Sequence, residues 1–249
     1  KSISDASLSI VLAAAKYRDL YDTATNQEEK ERYGLLLELL TPIAKTFPSE
    51  FGIESVSNGL QVLGGYGFCS EYILQQNYRD IRIFPIYEGT TGIQSLDLLA
   101  RKIPMANGAA LGYLVEEMKK TIGEASTTES LQKYAMQLGD AMKDVQEVLG
   151  HIQSFASKGE FERSIADATV FMEFFSRVIA SWSNLEMAVF ANRGLLTNDT
   201  SYSADFYEAK IHHMRYFFTY ELPLIKGLKA VLLNTEFLTI PEKSKVYAS

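Results

Sequence analysis

The chain has 249 residues, 47% of them hydrophobic and 22% charged, which allows one large domain or two small ones around a sizeable core. The formal net charge of −7 argues against a nucleic-acid binder, which normally carries a basic face. A single cysteine, Cys69, excludes an intrachain disulfide framework and a Cys-based zinc site, and His151, His212 and His213 do not by themselves make a metal cluster. No stretch approaches the ~18 consecutive apolar residues of a membrane-spanning helix, and the run from Ile10 ends at Lys16. A secretory pattern is not seen at the start. The expected compartment is the cytoplasm, or an organelle matrix reached by a leader that is not in this sequence. Because the first residue is Lys1 and not Met, we expect a piece of a longer polypeptide.

Apolar spacing is helical almost throughout. A first helix is expected over ~6–23. Thr25 with Glu28, or Asn26 with Glu29, offers a capping box for a second helix carrying Leu36, Leu39 and Leu40. Thr41-Pro42 reads as the N-cap and first residue of a third helix, which runs to about Leu63 and is kinked or broken at Pro48. Gly64-Gly65-Tyr66-Gly67 ends it, because glycines permit positive φ and close backbone approach. A short helix is expected over ~70–79, a loop from Pro85 to Thr90, and a helix over ~91–103 with Ile93, Leu96, Ala100 and Ile103 on one side. Met105-Ala106-Asn107-Gly108 is the boundary candidate, which divides the chain into residues 1–104 and 105–249.

Longer helices follow. Leu131, Ala135, Leu138, Met142, Val145, Leu149, Ile152 and Phe155 form one apolar stripe, ~36 Å long at 1.5 Å per residue. After Gly159 a second stripe runs through Phe161, Ile165, Ala168, Phe171, Phe175, Val178, Trp182, Leu185 and Ala188. Gly194 to Thr200 reads as a polar turn, and ~202–233 as a last helix bent at Pro223. Ile240 to Lys245 reads as exposed coil. There is no convincing repeat and no strand-like alternation. The expected fold is all-α: an up-down helical bundle followed by a second set of long helices.

The chemistry concentrates between Gln61 and Arg101. Taken alone, Gly64-Gly65-Tyr66-Gly67 is a helix C-cap, and it does not follow a strand as a dinucleotide-binding turn would. Glu88 is a lone loop carboxylate. Its flanks, Ile83, Phe84, Pro85, Ile86 and Tyr87, suggest a partly buried position, and Gly89 lets a ligand come close. An apolar setting disfavours the ionised carboxylate and moves it towards the range of a general base. Thr90 and Thr91 sit at a helix start, where hydroxyls and free N–H groups suit a phosphate or a flavin oxygen, and where Thr90 also serves as an N-cap. Cys69 is expected to pack as a small hydrophobe, and Trp182 to lie in the core or at a subunit interface. His212-His213 reads as a surface pair.

In order and spacing, Gly64-Gly65-Tyr66-Gly67, Tyr78-Arg79-Asp80, Tyr87-Glu88-Gly89-Thr90 and Ile93-Gln94 resemble the C-terminal helical domain of acyl-CoA dehydrogenases, flavoenzymes that oxidise acyl-CoA thioesters to trans-2-enoyl-CoA. The resemblance runs less sharply from about residue 5 to Ile103. Thr90-Thr91-Gly92-Ile93-Gln94 and the long helical extension are similar to the subgroup with an added C-terminal region, which includes bacterial methylthiopropanoyl-CoA dehydrogenase-like enzymes. The resemblance implies FAD as cofactor, an acyl-CoA as substrate, electron-transfer flavoprotein as acceptor and a homo-oligomeric assembly. It implies that Glu88 is the base that removes the α-proton. Gln61, Val62, Leu63, Gly64 and Gly65 fall on one FAD-contacting segment, typically facing the flavin of a neighbouring subunit. Thr90, Thr91 and Gly92 fall on another, Gly89 lies beside the substrate, and Tyr87 forms a wall of the acyl pocket. Arg79 and Asp80 are expected to pair and fix the loop.

Three departures from the family pattern stand out. The N-terminal helical and middle β-domains are missing from this sequence, Gly92 replaces a polar residue, and Pro48 interrupts a helix that is usually unbroken. Two further readings stay open: a non-catalytic helical oligomerisation or interaction module, and an acyl-CoA oxidase, which passes its electrons to oxygen.

Overall fold

The computed structural model describes residues 1–197 and 199–240. The expected tail beyond Ile240 lies outside them. The described residues are helical, with no strand among them. The chain divides into two compact units, Lys1–Val115 and Glu116–Ser249.

The first unit opens with α1 (Ser2–Thr23) and α2 (Gln27–Leu63), an antiparallel pair joined by three residues. Asn26 caps α2, its side chain accepting the Glu29 N–H at 2.8 Å. Ala6, Ile10 and Tyr17 of α1 are buried, as are Leu36, Leu39, Leu40, Ile43, Phe47 and Phe51 of α2. Each such large side chain contributes about 1.5–3 kcal/mol. This packing overrides the expected break at Thr41-Pro42. Thr41 is not a cap: its hydroxyl donates to the Leu37 carbonyl at 2.7 Å, one turn back. Pro42 and Pro48 both lie inside one 37-residue helix. Burial of Leu39, Ile43 and Phe47 on either side offsets the lost backbone bonds.

Gly64 ends α2 at φ 59°, its N–H bonded to the Gln61 carbonyl. A 3₁₀ turn, Gly64–Phe68, follows. Gly67 is buried there, because a Cβ would lie 2.4 Å from the Leu60 carbonyl oxygen. The next helix, α3 (Leu74–Ile81), starts four residues later than expected, after the turns at 69–73. It runs back along α2, with Leu74 over Gly59 and Ile81 over Gly52, where an added Cβ would meet their Cδ1 atoms at 3.1 and 2.8 Å.

Next comes α4 (Thr91–Leu96), whose axis continues through Asp97–Lys102 with i→i+5 bonding; Ile103 N–H reaches the Leu98 carbonyl at 2.9 Å. Ser95, Leu98, Leu99 and Lys102 are buried, at the i, i+3, i+4, i+7 spacing of an ordinary helix face, whereas Ile93 and Leu96 of the expected stripe are exposed. The Lys102 ammonium meets Glu38 of α2. Ala106, Asn107 and Gly108 all take positive φ before α5 (Ala109–Ser126), and the division between the units falls within that helix.

The second unit is built around α8 (Ala168–Leu196). Its expected apolar stripe is instead burial on nearly every side, from Phe171 to Leu185. Phe171 stacks on Phe175 with ring centroids 5.6 Å apart. Trp182 is a core residue, and its indole N–H donates to Thr121 Oγ1 at 2.8 Å. The buried Arg177 bridges Glu173 and Glu221. In front of α8 stand α6 (Glu129–Ala156), with Leu131, Ala135, Leu138 and Val145 buried as the spacing predicts, and the short α7 (Phe161–Ile165).

The expected turn from Gly194 is helical as far as Leu196. Gly194 is buried under the Tyr207 ring, where a Cβ would sit 2.7 Å from Cζ. The last expected helix is interrupted. It comprises α9 (Ala204–Tyr216), a widened turn Phe217–Glu221, a 3₁₀ turn Leu222–Leu224 around Pro223, and α10 (Ile225–Leu232). Asp144 of α6 joins Lys226 and Lys229 of α10 at 2.5 and 2.7 Å.

Candidate functional site

Glu88 stands at the tip of the turn between α3 and α4. Its φ is 53°, which costs an ordinary residue about 1–2 kcal/mol and persists only where the surroundings hold it. Gly89 follows at φ 92°, a conformation suited to glycine. Two side chains tie these consecutive carbonyls. Gln94 Nε2 donates to the Glu88 carbonyl at 3.2 Å, and Lys45 Nζ, from α2, donates to the Gly89 carbonyl at 2.7 Å. The Thr91 N–H reaches the Pro85 carbonyl at 3.1 Å and closes the loop on itself.

The start of α4 is only in part the open donor set expected. Thr90 is the N-cap, its hydroxyl accepting the Ile93 N–H at 3.4 Å. The Thr91 hydroxyl donates to Glu50 Oε1 of α2. Gly92 is left as the open position, with only the Thr90 hydroxyl near its Cβ direction.

Glu88 itself is exposed, contrary to the partly buried setting expected from its flanks. The flanks explain the difference. Ile83, Phe84, Ile86 and Tyr87 are 50, 44, 49 and 42% exposed, and only Pro85 is buried. The loop presents an apolar surface with the carboxylate in its midst. Lys45 is the perturbed group here. Burial pushes its ammonium below the usual range, and the negative charges of Glu50 and Glu88 oppose that shift.

The second cluster lies elsewhere. Gln61, Val62, Gly64 and Gly65 are exposed, and Leu63 is half-buried. Nothing lies within 4 Å of a Cβ built on Gly64 or Gly65. Beside them a cleft of about 490 Å³ is lined by Leu60, Gln61, Gly64, Phe68, Gln75 and Tyr78. Val62 and Phe68 are 87 and 92% exposed, so this end of α2 offers open, apolar, glycine-rich backbone. From Glu50, which bonds Thr91, to Gly64 is fourteen residues of helix, or ~21 Å. The candidate residues therefore fall in two places along α2 and not in one pocket.

Two other expectations need correction. Arg79 and Asp80 are both exposed, on a helix with no buried residue, and form no ion pair with each other among the described residues. Cys69 is exposed, with Sγ 3.6 Å from the Gly65 carbonyl, because the turn that ends α2 points it outward. Lys45 and Glu50 were not singled out from the sequence at all, and Gln94 only as part of a motif. The available signal was a charged residue at position 45 in the largely apolar run Ile43-Ala44-Lys45-Thr46-Phe47.

Comparison with known proteins gives the family and the fold. Residues 5–103 match the family model described as acyl-CoA dehydrogenase, C-terminal domain, and residues 114–239 match that described as acetyl-CoA dehydrogenase C-terminal like. The chain is 30% identical over 212 residues to a 3-methylmercaptopropionyl-CoA dehydrogenase of Ruegeria pomeroyi, a match covering 85% of this chain and 35% of that protein. It superposes on ACDH-11 of Caenorhabditis elegans, solved in complex with C11-CoA, with a TM-score of 0.72 at 19% identity, covering 94% of this chain and 39% of the other. It also superposes on an acyl-CoA dehydrogenase of Bacillus anthracis, solved with FAD, with a TM-score of 0.66 at 20% identity, covering 94% and 42%. The chain thus spans about two-fifths or less of the length of these relatives. Two successive C-terminal family models, together accounting for most of the sequence, establish that the chain belongs to the acyl-CoA dehydrogenase family.

Proposed function

We propose that this chain is the C-terminal portion of an FAD-dependent acyl-CoA dehydrogenase and that it carries the catalytic base, Glu88. The observation that supports this most is the turn itself. A carboxylate at positive φ is held by two side-chain clamps on adjacent carbonyls, in the middle of an apolar surface. A base in a mobile loop gains little; one fixed in place can meet the α-hydrogen of a bound thioester at a set distance. Glu88 accepts the α-proton, Gly89 lets the thioester approach, and Tyr87 walls the acyl chain. When bound, the flavin supplies the acceptor for the β-hydrogen.

Gln61, Val62, Leu63, Gly64 and Gly65 would hold FAD at the open end of α2, and Thr90, Thr91 and Gly92 at the start of α4. Thr91 enters that set through its backbone, since its hydroxyl is taken by Glu50. The ~21 Å between the two segments suits contacts with different flavins, in line with a homo-oligomer. Electron-transfer flavoprotein is the proposed acceptor. Residues 1–104 carry the site, and 105–249 form a helical extension. No helix among the described residues is long and apolar enough to cross a membrane, and the cytoplasm or an organelle matrix is the proposed location.

The exposure of Glu88 favours a second reading, a non-catalytic helical module in which the turn is a relic. The discriminating experiment supplies the intact protein with a panel of acyl-CoAs and either electron-transfer flavoprotein or oxygen. Formation of 2-enoyl-CoA that depends on electron-transfer flavoprotein supports the dehydrogenase. Hydrogen peroxide formed with oxygen indicates an oxidase. No product from any thioester favours the module.

A further inference from the structure

Lys45 is a half-buried cation on α2, and burial pushes its ammonium below the usual range. A neutral donor would satisfy the Gly89 carbonyl at a smaller desolvation cost. The charge therefore needs a reason beyond that hydrogen bond. Two carboxylates supply one: Glu50, one turn further along α2 and bonded to Thr91, and Glu88 at the tip of the turn.

We propose that Lys45 is a positioning residue for proton abstraction, a cation on the scaffold helix that holds the Glu88-Gly89 peptide through the Gly89 carbonyl and faces the carboxylates of Glu50 and Glu88. The inference rests on Glu88 being the base. It assigns the clamp to the scaffold helix and not to the loop. The base is then held by α2, which is rigidly paired with α1, and not by the exposed turn that carries it.

The test isolates the proton step. 3,3-Dimethylbutanoyl-CoA has two α-hydrogens and none on the β-carbon, so it can exchange a proton but cannot be oxidised. In D₂O the α-proton passes to the Glu88 carboxylate and is replaced by a solvent deuteron, read by mass spectrometry of the thioester. In the intact flavin-loaded protein, Lys45→Met is expected to slow exchange about 10- to 100-fold, the scale of a small misplacement of a reacting group. Thioester affinity and Tm should change little. Lys45→Arg, which keeps charge and donor, should recover more of the rate than Lys45→Gln, which keeps a donor alone. Exchange at the wild-type rate in Lys45→Met overturns the inference, as does loss of exchange in proportion to loss of binding. If Lys45→Met does not fold, the other two variants decide: equal rates for Arg and Gln overturn the role of the charge, and Arg faster than Gln supports it. Glu88→Gln separates the two levels. Normal exchange in that variant removes the assignment of the base itself; silence there, with Lys45→Met unaffected, removes only the role of Lys45.

Discussion

Replacing Gly67 by alanine tests the turn that ends α2. The added Cβ would lie 2.4 Å from the Leu60 carbonyl oxygen and 3.0 and 3.1 Å from Leu60 Cα and C. Carbon–oxygen approach ordinarily stops near 3.3 Å, so one backbone must retreat by roughly 0.9 Å. Leu60 sits inside α2 and cannot move without loosening the helix. The 3₁₀ turn must therefore shift, carrying Gly64 and Gly65 with it. Overpacking of this kind costs about 1–3 kcal/mol, and each kcal/mol lowers the Tm of a unit this size by about 4 °C. Gly65→Ala is the matched control: it has open space around its Cβ and no positive φ, so its effect on stability should stay within about 0.5 kcal/mol. Thermal unfolding followed by circular dichroism reads the first quantity, and flavin retained after gel filtration of the intact protein reads the second. Gly67→Ala should lower both Tm and retention, and Gly65→Ala only retention. Equal melting temperatures for the two variants would refute the packing argument. Full retention in Gly65→Ala would remove that segment from the flavin site.

Two further predictions concern the second unit. Burial raises the proton affinity of Asp144, but its hydrogen bonds and ion pairs with Lys226 and Lys229 outweigh this and hold the carboxyl below its ordinary 3.8. Because the folded value lies below the unfolded one, the stabilisation is fully present above about pH 4 and is lost as the pH falls through the folded value; acid titration of unfolding free energy should show a shallower decline in Asp144→Asn than in wild type. Trp182→Phe removes the indole N–H bond to Thr121 Oγ1 and leaves a small void in a fully packed helix, and the denaturation midpoint should reflect a loss of about 1–3 kcal/mol.

Local signals carried much of the fold. Helix periodicity located α1 and α6, and the stripe from Phe161 to Ala188 ran α7 and α8 together. Of the two caps offered for α2 the Asn26 one is formed, and glycines marked the positive-φ turns at Gly64 and Gly89. Where the reading failed, a tertiary effect outweighed the local one. Thr41-Pro42 is a sound N-cap signal, but the buried faces of Leu39, Ile43 and Phe47 keep α2 continuous through it. The stripe through Ile93 and Leu96 takes the apolar residues as the buried face, whereas the helix turns Ser95, Leu98, Leu99 and Lys102 inward and leaves Ile93 and Leu96 exposed. Gly194 reads as a stop signal but is needed so that Tyr207 can lie against α8. In the candidate site, the turn was visible in its residue types. Its clamps were not, because Lys45 and Glu50 lie about forty residues away in sequence and reach it only through folding. Apolar flanks suggested burial of Glu88, yet periodicity cannot tell an apolar surface awaiting a ligand from one inside a core.

The central claim is that Glu88 takes the α-proton. It is tested most directly by anaerobic mixing of a saturating acyl-CoA with the intact, flavin-loaded Glu88→Gln variant while the flavin absorbance is followed. The account predicts that the thioester binds and the flavin stays oxidised. Bleaching at the wild-type rate would contradict it.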